Sequence, residues 1–134
     1  MLTTQPYAQY QQNQALTATP GKLVLMAFDA AIRFAHVAQQ KMKASKLDEQ
    51  SEAIGKAQAI VAELICSLDV RRDAALAERL ATIYEYIFHR LSDANVNDDE
   101  QAVEESIRLL SELRETWGQA DRIASEQGQR TLAA

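Results

Sequence analysis

Hydrophobic residues recur along the chain at intervals of three and four, and this spacing defines four segments. At about 100° per residue, such spacing places the apolar side chains on one face of an α-helix. In the second segment the recurring residues are Ile54, Ala57, Val61, Leu64 and Leu68. In the third they are Leu76, Leu80, Ile83, Ile87 and Leu91, and in the fourth Val103, Ile107, Leu110, Leu113 and Trp117. The pattern predicts amphipathic helices that pack along a shared core.

The first segment begins with the stretch Thr19-Pro20-Gly21-Lys22, which predicts the start of a helix. Thr19 is a favourable N-cap residue, and Pro20 suits the first helical position because its missing N–H needs no partner there. The next residues, Leu23 to Phe28, are all apolar, so they point in every direction around the helix axis. We expect this turn to be covered on all sides, and the helix to end near Ala44.

Candidate caps set the bounds of the second and third helices. Asp48 is predicted to cap a second helix that ends near Leu68, and Asp73 to cap a third. The third helix is expected to end near Asn95, because asparagine tolerates the left-handed conformation common at helix C-termini.

The fourth helix is predicted to begin at Asn97. Glu100 follows three residues later, which is the spacing of a capping box. The apolar pattern fades after Gly118, so the end of the chain has no predicted packing partner.

Four helices of about 20 residues with short connections are typical of an all-α fold, an antiparallel up-down four-helix bundle. We assign residues 19–124 to this bundle. Residues 125–134 are predicted to form a disordered tail. Residues 1–18 are rich in glutamine and other polar residues, so we expect a flexible N-terminal leader.

Composition and charge exclude several classes of function. The chain has 134 residues, of which 47% are hydrophobic, and this fits one domain with a substantial core. Its net charge is -5 and its longest basic run is Arg71-Arg72, which argues against a nucleic-acid partner. No apolar run approaches the roughly 18 residues of a membrane span, and no basic-then-apolar signal opens the chain. We therefore expect a cytoplasmic protein that does not insert into membranes.

The sequence offers no constellation for catalysis or metal binding. The single cysteine, Cys66, lies among apolar residues and is expected to be a packed core thiol. Neither His36 nor His89 follows a glutamate at the Glu-x-x-His spacing of di-metal helical bundles. No glycine-rich phosphate loop is present. We predict that the protein is not an enzyme and has no metal or cofactor.

Surplus apolar surface is the feature that bears on function. It comprises the turn from Leu23 to Phe28 and the wide apolar face of the third helix, to which Tyr84, Tyr86 and Phe88 contribute. Two interpretations remain open at this point. In the first, both surfaces belong to the core and a homodimer covers the remainder. In the second, they form a groove for an amphipathic helix of another chain.

The sequence resembles the FliS family of flagellin export chaperones over roughly residues 7–117. The resemblance begins with Tyr10, the stretch Thr17-Ala18-Thr19-Pro20-Gly21-Lys22-Leu23-Val24-Leu25-Met26, and Phe28-Asp29. It continues through Lys56-Ala57-Gln58, Glu63-Leu64, Ser67-Leu68-Asp69, Leu76-Ala77, Leu80 and Ile83-Tyr84-Glu85-Tyr86. It ends with Arg90-Leu91, Ala94-Asn95, Leu113-Arg114-Glu115 and Trp117.

The chain departs from the family pattern at two places. Ala27-Phe28-Asp29-Ala30 stands where the family usually has Leu-Tyr-Asp-Gly, which removes a hydroxyl near the expected groove. Asp73-Ala74-Ala75 replaces a glycine pair and so changes a turn. Both departures affect fine specificity more than the fold.

The resemblance implies a function in flagellar protein export. A family member would bind the disordered C-terminal segment of flagellin in the cytoplasm and prevent premature polymerisation. It would hold flagellin ready for the flagellar export apparatus. The alternative to this function is that of a homodimeric structural bundle without flagellin affinity.

A flagellin-binding groove can be assigned to particular residues as a hypothesis. The residues that we expect to line it are Leu23, Met26, Phe28, Ala57, Ile60, Leu64, Tyr84 and Leu91. Tyr10 and Leu16 of the leader are expected to cover the groove when it is empty, so that deletion of the leader strengthens binding. Asp29 is predicted either to orient a polar contact at the groove edge or to be a solvated carboxylate.

Overall fold

The computed structural model describes residues 18–133, together with Gln9 and Gln12. Within residues 18–133 the chain forms four helices: α1 (Pro20–Lys43), α2 (Leu47–Cys66), α3 (Ala74–Asn97) and α4 (Glu100–Ala133). The predicted all-α class is therefore confirmed for this part of the chain. Most of the predicted leader, with Tyr10 and Leu16, lies outside the described residues.

The four helices form an antiparallel bundle in which α1 and α3 each pack against both α2 and α4. Ion pairs show the directions of neighbouring helices. Near the end of α1, Lys41 Nζ lies 3.5 Å from Glu49 Oε2, near the start of α2. Between α1 and α4, Arg114 Nε lies 2.9 Å from Asp29 Oδ1. The up-down arrangement inferred from the short connections is confirmed.

The core follows the predicted apolar faces through the middle of the bundle. Its largest fully buried hydrophobic side chains are Tyr84, Phe28, Ile54, Ile87, Leu91, Leu110, Val61 and Val103. In α1 the buried positions beyond Phe28 are all alanines, which bring the neighbouring helices close. One residue assigned to the core face differs: Leu76 in the first turn of α3 is 49% exposed. It lies at the end of the bundle, where no helix packs over it.

Two of the predicted N-caps are confirmed and one is wrong. Thr19 Oγ1 accepts a hydrogen bond from Lys22 N at 3.3 Å, and Asp73 Oδ1 accepts one from Leu76 N at 3.1 Å. Asp48 does not cap α2, because that helix already begins at Leu47. Its carboxylate instead lies in the first turn, where the helix dipole favours negative charge.

The connection between α3 and α4 lies two residues later than the sequence suggested. Asp98, with φ of 51°, adopts the left-handed conformation expected of Asn95. Asp99 Oδ1 accepts hydrogen bonds from Gln101 N at 3.0 Å and Ala102 N at 3.3 Å, so Asp99 rather than Asn97 caps α4. A contact from α2 explains the shift: the buried Gln50 donates through Nε2 to Asp98 Oδ1 at 2.9 Å.

The end of α4 and the position of Cys66 also differ from expectation. The segment predicted as a disordered tail is helical through Ala133. Residues 122–132 are all exposed, so no described residue covers this part of the helix, and the apolar pattern fades accordingly. Alanine, glutamate, glutamine and arginine nevertheless favour helix. Cys66 is exposed rather than packed in the core, because it is the last residue of α2.

Candidate functional site

A cleft opens at the end of the bundle where α1 begins. It lies between the start of α1, the end of α2, the start of α3 and the later part of α4, and its volume is about 990 Å³. Its lining includes Pro20, Gly21, Leu23, Val24, Leu64, Ser67, Leu68, Asp69, Arg72, Asp73, Leu76, Ala77, Leu80, Tyr84, Trp117, Ala120, Asp121 and Ala124. All four helices therefore contribute to one concave surface.

The wall of the cleft is mainly apolar. Leu23 is 43% exposed and Leu76 is 49% exposed. Half-buried side chains continue this surface inward onto the core, among them Val24, Leu68, Leu80 and Trp117. Full burial of a fully exposed leucine contributes roughly 1.5–3 kcal/mol. Leu23 and Leu76 are already more than half covered, so a partner that buries the rest gains about half of that from each.

Small residues on three helices form part of the cleft lining. They are Gly21 on α1, Ala77 on α3, and Ala120 and Ala124 on α4. At these positions the wall of the cleft lies close to the helix backbones.

Gly21 has a specific role at the edge of the cleft. A Cβ atom at this position would overlap the carboxylate of Asp121, because α4 passes directly over the first turn of α1. The carboxylate lies near the positive end of the α1 dipole, which favours it electrostatically. The absence of a side chain at position 21 thus allows the start of α1 to pack closely against α4.

Tyr84 and Trp117 form the inner end of the cleft. Tyr84 is only 1% exposed, and its ring centroid lies 6.2 Å from that of Phe28 in the core. Burial raises the pKa of the Tyr84 hydroxyl, and a hydrogen bond with the Trp117 side chain lowers this pKa by a smaller amount. The hydroxyl therefore stays neutral, and Tyr84 joins the cleft to the core.

Charged side chains line the cleft on two sides. Three are the carboxylates of Asp69, Asp73 and Asp121, and the fourth is the guanidinium of Arg72. Asp69 accepts a hydrogen bond from Arg71 N at 3.0 Å, and Asp73 caps α3. The lining thus carries more negative than positive charge.

A bidentate ion pair holds α1 to α4 beside the cleft. Arg114 donates from Nε to Asp29 Oδ1 at 2.9 Å and from Nη2 to Asp29 Oδ2 at 3.5 Å. The hydrogen bond with Asp29, followed by the charge of its carboxylate, raises the pKa of Arg114. Arg114 also lines a smaller cleft of about 460 Å³ between the two helices. Asp29 is therefore ion-paired with Arg114, and its side chain remains 51% exposed.

The structure brings together only part of the predicted groove. Leu23, Leu64 and Tyr84 line the cleft. Phe28, Ala57 and Leu91 are each 0% exposed in the core, where a partner has no access to them. Met26 and Ile60 are half-buried and lie outside the lining. Helical spacing indicates which way a side chain points, but not how deeply its neighbours cover it.

Sequence reasoning missed several residues that line the cleft. Leu76 and Leu80 were assigned to the core of the third helix, and Trp117 to that of the fourth. Ala120 and Ala124 fell where the apolar pattern fades. One signal was available: Leu76 comes three residues after the Asp73 cap, and a residue in the first turn of a helix lies at the end of a bundle.

Residues 18–133 contain neither of two further kinds of site. No group of three or more histidine, cysteine, aspartate and glutamate side chains in the described part of the chain is arranged to hold a metal ion. No helix described there is long and apolar enough to cross a membrane.

Comparisons of the sequence with known proteins identify one family. The sequence model of the family described as flagellar protein FliS matches residues 3–124. The flagellar secretion chaperone FliS of Bacillus subtilis is 34% identical over 130 residues, which cover 97% of this chain and 95% of that protein. The protein of the same name from Salmonella typhimurium is 34% identical over 126 residues, with 92% and 93% covered.

A solved structure shares the fold. A crystal structure described as a flagellar chaperone from bacteria superimposes with a TM-score of 0.73 at 19% sequence identity. The superposition covers 87% of this chain and 98% of that one, so the bundle is matched nearly end to end.

Proposed function

Because this chain belongs to the FliS family of flagellar secretion chaperones, we propose that it binds the disordered C-terminal segment of flagellin in the cytoplasm. Binding keeps flagellin from polymerising prematurely. It also keeps the bound flagellin available to the flagellar export apparatus, which is the second partner of the proposal. The protein acts by holding a client rather than by catalysing a reaction.

The observation that carries the proposal is the apolar cleft at the open end of the bundle. Leu23 and Leu76 expose aliphatic surface there, at the opening of a cleft of about 990 Å³. Its mainly apolar lining extends inward to Trp117 and Tyr84. An amphipathic helix that lays its apolar face in such a groove buries surface on both partners. At roughly 25 cal/mol per Å², this burial supplies the binding free energy.

A disordered client suits release as well as binding. A segment that folds on binding loses conformational entropy, and this loss offsets part of the free energy gained by burial. The resulting affinity is moderate for the area covered. Moderate affinity fits a chaperone that must transfer its client to an export machine.

The leader is proposed to cover the cleft when no client is bound. Pro20 and Gly21 line the cleft, so the leader is joined to the bundle at the edge of the cleft. The apolar residues assigned to this role are Tyr10 and Leu16. A client would then compete with the chain's own leader for the same surface.

Substitution of Leu76 tests the cleft directly. Leu76→Asp places a carboxylate where the client is expected to bury apolar surface, and an unpaired charge is costly to bury. We expect this variant to bind the flagellin segment at least about ten-fold more weakly, which corresponds to about 1.4 kcal/mol. Isothermal titration calorimetry with the purified full chain measures the change.

Val96→Asp is the matched control for this experiment. Val96 also lies on α3 and is 80% exposed, but it is close to the other end of the bundle. Its substitution should change the affinity by less than about two-fold, as expected for a surface site away from the contact. Equal weakening by both variants, or by neither, would contradict the proposed cleft. If the wild-type chain forms a stable dimer and binds no flagellin, the homodimeric bundle becomes the correct account.

A further inference from the structure

The charged residues around the cleft are placed on opposite sides of it. Asp69 and Asp73 belong to the connection between α2 and α3, whereas Asp121 lies on α4 against the start of α1. A helix docked between these sides would therefore have carboxylates along both of its flanks. Among the described residues that line the cleft, Arg72 is the one cationic side chain.

The three carboxylates around the cleft have no cationic partner within the described part of the chain. Some carboxylates elsewhere on the bundle do pair with cations: Asp29 with Arg114, and Glu105 with Arg90 at 3.7 Å. The cleft carboxylates form no ion pair among the described residues, and Asp69 and Asp73 accept hydrogen bonds only from backbone N–H groups. The lining thus has three carboxylates that are in no ion pair among the described residues, against one guanidinium, at the edge of an apolar surface.

We propose that the segment bound in this cleft is an amphipathic helix whose apolar face is flanked by lysine or arginine. This inference rests on the proposed function of the cleft as a docking site, and it adds the charge pattern of the client. A cation on either flank meets a carboxylate at the rim, whereas a client carboxylate meets a like charge. Because rim charges are exposed, their effect falls with ionic strength.

Two designed peptides test the charge preference without knowledge of the natural client. Both have about 18 residues, or about 27 Å of helix, and share one leucine and alanine face. One carries lysines on its flanks, and the other carries glutamates. We expect the lysine peptide to bind the full chain about ten-fold more tightly at about 50 mM salt. At about 500 mM salt the ratio should fall to about two-fold, because screening shortens the range of the charges.

Variants of the chain assign the preference to the rim. The double variant Asp69→Asn/Asp121→Asn removes two charges while retaining side-chain oxygens, so the hydrogen bond from Arg71 N to residue 69 can persist. It should reduce the lysine-to-glutamate affinity ratio to about three-fold or less at low salt. Glu104→Gln is the control, since Glu104 is an exposed carboxylate near the start of α4, away from the cleft. This variant should leave the ratio unchanged.

The outcomes separate this inference from the proposed function. Equal binding of the two peptides, preference for the glutamate peptide, binding of neither, or an unchanged ratio in the double variant would each overturn the inference. The flagellin segment is titrated in parallel. If flagellin binds and the peptides show no charge preference, the function stands without the inference. If only the lysine peptide binds, the cleft has the inferred preference but another client.

Discussion

At the scale of single residues, the stretch Thr19-Pro20-Gly21 shows what the sequence can and cannot predict. The cap by Thr19 and the start of α1 at Pro20 were predictable, because both depend on residues close in the chain. The reason for glycine at position 21 was not, because Asp121 is distant in sequence and meets Gly21 only in the folded bundle. The same limit explains why Phe28 and Leu91 were assigned to the groove.

Gly21→Ala should destabilise the bundle, because the new Cβ overlaps the Asp121 carboxylate. We expect a loss of about 1 kcal/mol in the free energy of unfolding, measured by urea denaturation. In an Asp121→Ala background the same substitution should be neutral or stabilising, because the obstacle is gone and alanine favours helix. The same loss in both backgrounds would contradict the proposed contact.

Gly55→Ala provides the matched control for this pair. Gly55 lies within α2, and a Cβ built there has no neighbouring atom within 4 Å. This substitution should raise the free energy of unfolding by about 0.5–1 kcal/mol, since alanine is the better helix former.

At the scale of helices, the spacing of apolar residues predicted the existence of all four described helices, and the short connections predicted that consecutive helices are antiparallel neighbours. The exact ends depended on tertiary contacts that a local pattern does not contain. Gln50 of α2 binds Asp98 across the bundle, so α3 continues to Asn97 and α4 takes Asp99 as its cap. Residues 122–132 at the end of α4 are exposed among the described residues, and local helix propensity favours their helical conformation.

Substitutions at the α3–α4 connection distinguish the observed cap from the predicted one. Asp99→Ala should lower the free energy of unfolding by about 1 kcal/mol, because Gln101 N and Ala102 N lose their acceptor. Asn97→Ala should change it by less than about 0.5 kcal/mol, because Asn97 is exposed and does not cap α4. A larger loss from Asn97→Ala than from Asp99→Ala would contradict the Asp99 cap and would favour the capping box at Asn97 as the start of α4.

At the scale of the whole molecule, the cleft forms where the start of α1, the end of α2 and the start of α3 lie beside the later part of α4. The sequence indicated surplus apolar surface and, through its resemblance to a family, a client. It did not indicate which surface stays open, because Leu76 and Phe28 have similar places in their apolar patterns. Leu76 is at the open end and is 49% exposed, whereas Phe28 is 0% exposed in the core.

Deletion of Met1 to Leu16 tests whether the leader competes with the client. If the leader covers the cleft for most of the time, its removal should strengthen flagellin binding by about three- to ten-fold, because the binding-competent fraction rises. In the full chain, the pair Tyr10→Ala and Leu16→Ala should act in the same direction. The pair Gln9→Ala and Gln12→Ala, at positions exposed in the structure, should not. Unchanged or weaker binding after the deletion would reject competition by the leader.

The most direct test of the central claim is a calorimetric titration of the full chain with the C-terminal segment of flagellin from its own organism. The account predicts saturable binding with a negative heat-capacity change of the order of a few tenths of a kcal/mol/K, as apolar surface is buried and the segment folds. Gel filtration of the mixture should show a complex. No binding heat at any temperature and no complex on the column would contradict flagellin as the client of this cleft.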